Sequence, residues 1–307
     1  MIIFLLVILV LVLALFTIGY FVFYFAAVRQ PKTPEPGASR WVQPFGEEIR
    51  SGARWFREQN PERIVLPSRD GISLVGYFLP AEEARGTLLL VHGYRSDPLC
   101  DFGVIFRYYH DLGWNILAVC QRSHGESGGA YITFGIKERY DIRDWAVYLS
   151  DRLGKDHPIV LDGVSMGSTT VLMSLGTGLP ANVRGVIADC GFTCPRDEFI
   201  HVLKSRYHLP SQPLLFLTEM HAKALAGFGF SDYSTVTALK DNHLPVLFVH
   251  GEKDSFVPPH FTQENYEACA GEKQLVTVPE AGHGTSYLYA GEQCRAILRE
   301  FLARMAE

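Results

Sequence analysis

The sequence predicts an α/β chain: a mostly parallel eight-stranded sheet with helices on both faces, a helical cap inserted late in the order, and one N-terminal transmembrane helix. Three observations lead there. Short β-rich runs alternate with helical patterns, which calls for parallel strands joined by right-handed crossovers. About 55 residues separate two late strands, far more than a crossover needs. None of the 28 Lys and Arg or 33 Asp and Glu residues falls within residues 1–28.

Composition sets the outer limits. With 48% hydrophobic and 12% aromatic residues at a net charge of −5, the 307-residue chain is not disordered. No later stretch of about 18 residues is continuously apolar, which excludes a multi-span membrane protein. No basic run marks a footprint for phosphates, so nucleic acid is not an expected partner.

Residues 1–28 would form a helix about 42 Å long, against roughly 30 Å of hydrocarbon, so it can span with tilt. Tyr20 and Tyr24 near its end suit an aromatic belt. A cleaved signal peptide would carry a basic lead and a shorter apolar core, so an uncleaved single-pass anchor is expected. Arg29, Lys32, Arg40, Arg50, Arg54 and Arg57 all follow the span. By the positive-inside rule they place the main domain in the cytoplasm. Residues 29–60 start Pro-rich and turn amphipathic, reading as a juxtamembrane linker and a short helix over 46–58.

Residues 61–307 then form one domain. Its strand candidates are 63–66, 73–78, 87–91, 115–119, 159–161, 185–188, 246–249 and 274–278, the first two joined by the turn Arg69-Asp70-Gly71. Helical patterns fall near 99–112, 136–153, 166–177, 260–270 and 286–304. The interval of about 190–240 holds two more amphipathic stretches rich in Phe and Leu, the cap. The six cysteines show neither a CxxC pair nor a His-assisted zinc pattern. Cys190 and Cys194 could bridge in an oxidising compartment, but packing as free thiols is the simpler reading.

Gly163-Val164-Ser165-Met166-Gly167 fits the G-x-S-x-G elbow, in which flanking glycines let a strand turn sharply into a helix. The pattern recurs at Gly125-Glu126-Ser127-Gly128-Gly129. Context separates them: Ser165 follows the apolar run Ile159-Val160-Leu161 and precedes a helix, whereas Ser127 lies past its strand with no helix behind it. Ser165 is the expected nucleophile.

Acyl transfer also needs a base, an orienting acid and an oxyanion site. Asp254 lies just past the strand ending at Val249, and His283 lies between the last strand and the last helix. Both are at the C-terminal ends of strands, where parallel sheets collect their sites. Asp189 is the reserve acid. The run Leu88-Leu89-Leu90-Val91 ends in His92-Gly93-Tyr94, so the N–H groups of Tyr94 and Met166 would form the oxyanion hole. His92 reads as a structural histidine holding that loop.

In this order the segments resemble the α/β-hydrolase superfamily over about residues 62–305. Arg122-Ser123-His124-Gly125-Glu126-Ser127 is similar to that family's R-G-H-G-x-S segment, with Ser123 for the usual Gly, and the resemblance makes this segment structural. The chain looks most like bacterial membrane-anchored serine hydrolases of the serine aminopeptidase-like and carboxylesterase-like kinds. That implies a cofactor-free serine hydrolase, suggests no metal site, and leaves the substrate open. An ester of an apolar or lipid-like acyl group is the first expectation, with Phe199, Phe216, Phe228 and Phe230 lining an acyl pocket in the cap. A serine peptidase is second; it would want an acidic cap residue for a substrate amine, Asp197 or Glu198. A non-catalytic scaffold on the same fold comes third.

Overall fold

The computed structural model describes every residue except Thr33, Arg40 and Trp41. The Arg40 charge counted toward orientation therefore lies outside the described residues. The central strands β3 (Gly86–Val91), β4 (Trp114–Cys120), β5 (Ile159–Val164) and β7 (Val246–Gly251) are buried at every position, because helices cover both faces. The edge strands β1 (Glu62–Pro67) and β8 (Lys273–Val278) mix exposed and buried residues. With β2 (Ser73–Leu79) and β6 (Val183–Asp189) they form one sheet in the order β1-β2-β4-β3-β5-β6-β7-β8. β2 pairs antiparallel with β1 and β4, and the other pairings are parallel.

Alternation along β3 divides the core. Leu88 and Leu90 join a layer with residues of α4 (Phe106–Asp111) and α12 (Gly291–Met305). Leu89 and Val91 join one with α5 (Glu138–Leu153) and α6 (Met166–Ser174). α2 (Gly46–Glu58) and α10 (His260–Ala268) lie where the sequence places them. The cap carries α7 (Pro195–Ser205), α8 (Leu214–His221) continued by a π-helical turn over Ala222–Ala226, and α9 (Thr235–Leu239).

Two expected helices are interrupted. The 99–112 pattern splits into α3 (Pro98–Asp101) and α4 around Gly103, which is pressed so close to α2 that a Cβ there would stand 2.7 Å from the Ile49 carbonyl oxygen. The 286–304 pattern splits into α11 (Ser286–Tyr289) and α12 at Ala290-Gly291, with Gly291 at a φ of +38°.

The N-terminal helix α1 (Ile2–Ala27) is 26 residues long and apolar enough to cross a membrane. Residues 2–18 are exposed, whereas Gly19, Phe23 and Ala27, a stripe at four-residue spacing, are buried against the domain. A Cβ on Gly19 would stand 2.7 Å from that of Leu217, so glycine lets α1 lie directly on α8. The Phe16 and Tyr20 rings flank His221, at 4.3 and 5.6 Å between centroids. Just beyond the helix, Arg29 donates to the carbonyls of Ser127 and, at 2.6 Å, Gly125. The chain is thus fastened to the domain before it runs on toward α2.

The second G-x-S-x-G serine is structural. Ser127 Oγ accepts the Val75 N–H at 2.8 Å and donates to the Cys120 carbonyl at 2.6 Å. In the same segment Arg122 pairs with buried Asp141 at 2.6 Å and with Asp70 at 2.8 Å. Removing the guanidinium would leave Asp141 buried without its counter-ion. Arg122→Ala is therefore expected to cost about 3–5 kcal/mol of stability in urea denaturation; a loss under about 1 kcal/mol would contradict this account.

Candidate active site

β5 runs into α6 through Ser165, whose φ of +57° and ψ of −121° cost a non-glycine residue about 1–3 kcal/mol. The turn has no room on either side. A Cβ on Gly163 would stand 2.4 Å from the Gly167 carbonyl oxygen, and one on Gly167 would stand 1.9 Å from that of Val91. The Ser165 N–H donates to the Asp189 carbonyl at 2.8 Å, which ties the turn to β6. Only 5% of Ser165 is exposed.

The loops after β7 and β8 bring the two expected partners to it. His283 Nε2 lies 2.8 Å from Ser165 Oγ, and His283 Nδ1 lies 2.7 Å from Asp254 Oδ2. The other Asp254 oxygen accepts the N–H groups of Phe256 and Val257 at 2.9 and 3.0 Å. Burial opposes ionisation of this carboxyl, but hydrogen bonds from His250 and His283 outweigh it and hold it well below the usual range. Asp189, the reserve acid, turns instead to Ser286, 3.3 Å away.

Gly93 packs against the elbow, and a Cβ there would stand 3.2 Å from the Ser165 Cβ. Among the described residues, neither the Tyr94 N–H nor the Met166 N–H is taken up by a hydrogen bond within the chain. Asp101 and His124, which sequence reasoning passed over as site residues, hold this loop. Asp101 accepts the Gly93 N–H at 2.6 Å and the Ser96 hydroxyl at 2.5 Å. His124 Nε2 accepts the Arg95 N–H at 3.0 Å. His92 behaves as read: its Nε2 accepts the Gln121 N–H at 3.0 Å, and Nδ1 donates to the Gly93 carbonyl at 2.8 Å. Burial, with His124 beside it, keeps His92 neutral.

The Alpha/beta hydrolase family model matches residues 88–297, from within β3 into the last helix. The chain belongs to that family. Over 253 residues the hydrolase is 30% identical to the uncharacterized protein YqkD of Bacillus subtilis, covering 81% of this chain and 82% of the relative. An uncharacterized membrane protein of Saccharomyces cerevisiae is 24% identical over 78% of this chain and 79% of its own. Among solved structures, the Pyrococcus furiosus esterase Pf2001 superposes with a TM-score of 0.65 at 21% identity, over 90% of this chain and 98% of its own, a likeness of fold.

Above the serine of this hydrolase the cap encloses an aromatic cluster. Phe199 stacks on Phe230 at 4.5 Å between centroids and meets Phe134 edge-on at 5.2 Å. Phe228 and Phe230 are buried in the same cluster as Met166. Phe216 does not join them. It is 57% exposed on the outer side of α8, because neighbouring Leu215 takes the inward position. All six cysteines are free thiols. Cys190, Asp254 and His283 place ligand atoms within 4.8 Å of one another, but both His283 nitrogens already face Ser165 and Asp254, so this cluster is the hydrogen-bond chain itself.

Around the elbow lie acids with fewer donors than Asp254. Burial pushes Asp162 up to about 7, and Asp101 and Asp189 up to about 6. In the unfolded chain these carboxyls titrate near about 3.9. The native state therefore keeps protons that the unfolded state has lost, and this contribution to stability is complete below pH about 4 and disappears as pH rises through about 6–7. Urea midpoints are expected to fall between pH 5 and 8, about, with a shallower slope in Asp162→Asn. An equal slope in both proteins would remove Asp162 from the account.

Proposed function

We propose that this hydrolase is a membrane-anchored serine esterase that cleaves apolar, lipid-like acyl esters through an acyl-enzyme. The observation that carries the reading is the continuous Ser165–His283–Asp254 hydrogen-bond chain beside two unused backbone N–H groups. His283 Nε2 takes the hydroxyl proton as Ser165 Oγ attacks the ester carbonyl. Asp254 holds Nδ1–H and stabilises the imidazolium that forms. The Tyr94 and Met166 N–H groups meet the developing oxyanion, each worth about 2.7–4 kcal/mol. His283 returns the proton to the leaving alkoxide, and water activated by the same nitrogen then cleaves the acyl-enzyme. Phe199, Phe228 and Phe230 give the acyl chain apolar walls.

The placement of the cap supports a lipid-like substrate. Spanning about 30 Å of hydrocarbon takes about 20 helical residues, and residues 2–18 of α1 are exposed, with Phe16 already against His221 of α8. A bilayer around α1 would therefore reach the turn at Gly19, where α8 packs. The cap surface in that region exposes Tyr207, Leu209, Phe216, Met220 and Leu225, side chains suited to a lipid interface. The basic residues Arg29 and Lys32 after the span favour the cytoplasmic side for the domain.

A fluorophosphonate probe is expected to label the wild type, with labelling lost in Ser165→Ala; an unlabelled folded wild type would overturn the enzyme reading. On p-nitrophenyl esters, Asp254→Asn should lower kcat by about two to four orders of magnitude. Longer acyl chains should be preferred to short ones, and all esters to aminoacyl nitroanilides. Dominant cleavage of the anilides would make the protein a peptidase instead.

A further inference from the structure

The cap holds one polar group that the proposed chemistry does not use. Two acids sit in the first turn of α7, and they are differently placed. Asp197 is engaged locally, its Oδ2 accepting from Thr193 Oγ1 at 3.1 Å and Cys194 Sγ at 3.0 Å. Glu198 has neither role. Both its carboxylate oxygens are out of contact with solvent, and neither has a hydrogen-bond partner in the chain.

The register of α7 shows where this group faces. Glu198 and His201 are three apart, on one side of the helix. His201 Nε2 lies 3.3 Å from the carbonyl oxygen of Ser255, the residue after Asp254. The ring of Phe256, next along, stands edge-on to the His283 imidazole at 5.0 Å. On the neighbouring side of α7, Phe199 and Phe230 close the aromatic cluster. Burial, and then the negative charge of Asp254, raise the Glu198 carboxyl well above its ordinary range.

A buried carboxyl without a partner destabilises the free protein and makes sense once a ligand brings the missing group. The sign of that group follows from the surroundings. Asp254 is ionised, and Asp101 and Asp189 both feel the imidazole from beneath. A ligand anion would be repelled by this set, whereas a cation gains from it. Aromatic walls beside a carboxylate are also how proteins hold ammonium groups. On binding, Glu198 releases its proton to solvent and pairs as the carboxylate.

We propose that Glu198 is a substrate-binding residue for an ammonium group, so that the ester favoured by this site carries an amine on its acyl or its alcohol side. The inference rests on the esterase reading and narrows its substrate from an apolar ester to a cationic one with an apolar body.

Two matched pairs of esters test it on the full chain in detergent micelles. Leucine p-nitrophenyl ester against 4-methylpentanoate p-nitrophenyl ester places the ammonium on the acyl side. Butyrylcholine against 3,3-dimethylbutyl butyrate places it on the alcohol side. An α-ammonium group activates an ester by itself, so the quantity read is the cationic-to-neutral ratio of kcat/KM in wild type divided by that in Glu198→Gln. It is expected to be about tenfold or more for one pair, with the neutral ester changed by less than about twofold. Glu198→Asp should recover part of the loss.

A binding arm is independent of turnover. Calorimetric affinity for n-butylammonium or choline should fall about tenfold or more in both Glu198→Gln and Glu198→Leu, while n-butanol should bind all three proteins alike. Unchanged ratios in both pairs, or equal amine affinity in wild type and variants, would overturn the proposal. Loss of Ser165 labelling and of neutral-ester cleavage in the wild type would instead strike the esterase reading, with the calorimetry still deciding the role of Glu198.

Discussion

The rest of the molecule depends on the backbone at Ser165. An L-residue held at φ +57° is strained, and the strain persists only where neighbours leave the chain no alternative. Here the alternative is removed from three directions. Gly167 touches the end of β3, Gly163 touches Gly167, and the Asp189 carbonyl at the end of β6 takes the serine N–H. Three adjacent strands must therefore end at matching heights. That requirement explains why α6, which follows the elbow, is buried at all nine positions. A looser helix would let the turn relax and withdraw the hydroxyl from His283.

Which carboxyl carries charge is decided by donors rather than by depth. Asp254, Asp189 and Asp162 are buried and Asp101 is partly buried. Asp254 alone is surrounded by two backbone N–H groups and two imidazoles, and it alone of the four is held low. Asp162 has one hydroxyl, that of Tyr109 at 2.7 Å, and one unpartnered oxygen, and it is pushed up to about 7. The same low-dielectric interior therefore holds one carboxyl low against the imidazole and pushes the three around it up. His92 and His124 follow the rule in reverse, each kept neutral by burial while one ring nitrogen accepts a backbone N–H.

Much of this was legible in the residues. Unbroken apolar runs announced the buried strands, and the Ser165, Asp254, His283 order announced the meeting of three loops at one end of the sheet. The context of Ser127, with no helix behind it, set it apart from Ser165, and its hydroxyl is engaged by backbone on both counts. What stayed hidden were side chains that act on distant backbone. Nothing in spacing marks Asp101 as the acceptor for Gly93, or His124 as the acceptor for Arg95, because such bonds depend on where loops pack. The stripe Gly19, Phe23, Ala27 was invisible for a different reason: in a uniformly apolar helix no polar contrast reveals the buried side. Phe216 was misplaced because α8 starts after an irregular loop, and its phase relative to the core is set by Leu215. Asp197 and Glu198 looked interchangeable until the turn at Cys194 engaged one and left the other without a partner.

The grip on the apolar helix gives the molecule a fixed stance. Tyr94 donates its hydroxyl to the Ala26 carbonyl at 2.7 Å, and Arg95 reaches the Phe25 carbonyl, so the loop bearing an unused N–H beside Ser165 is bolted to the end of α1. With the helix in a bilayer, the domain cannot swivel on a leash and sample the surrounding solution. A bilayer around the helix would meet one side of the domain only, and the domain would move in its plane as a raft does. Another hydrophobic segment grafted in place of α1 would be as apolar and as long. It would take Phe23 and Ala27 out of the apolar cluster that holds Met166, the residue after Ser165, so the helix cannot be exchanged without touching the elbow.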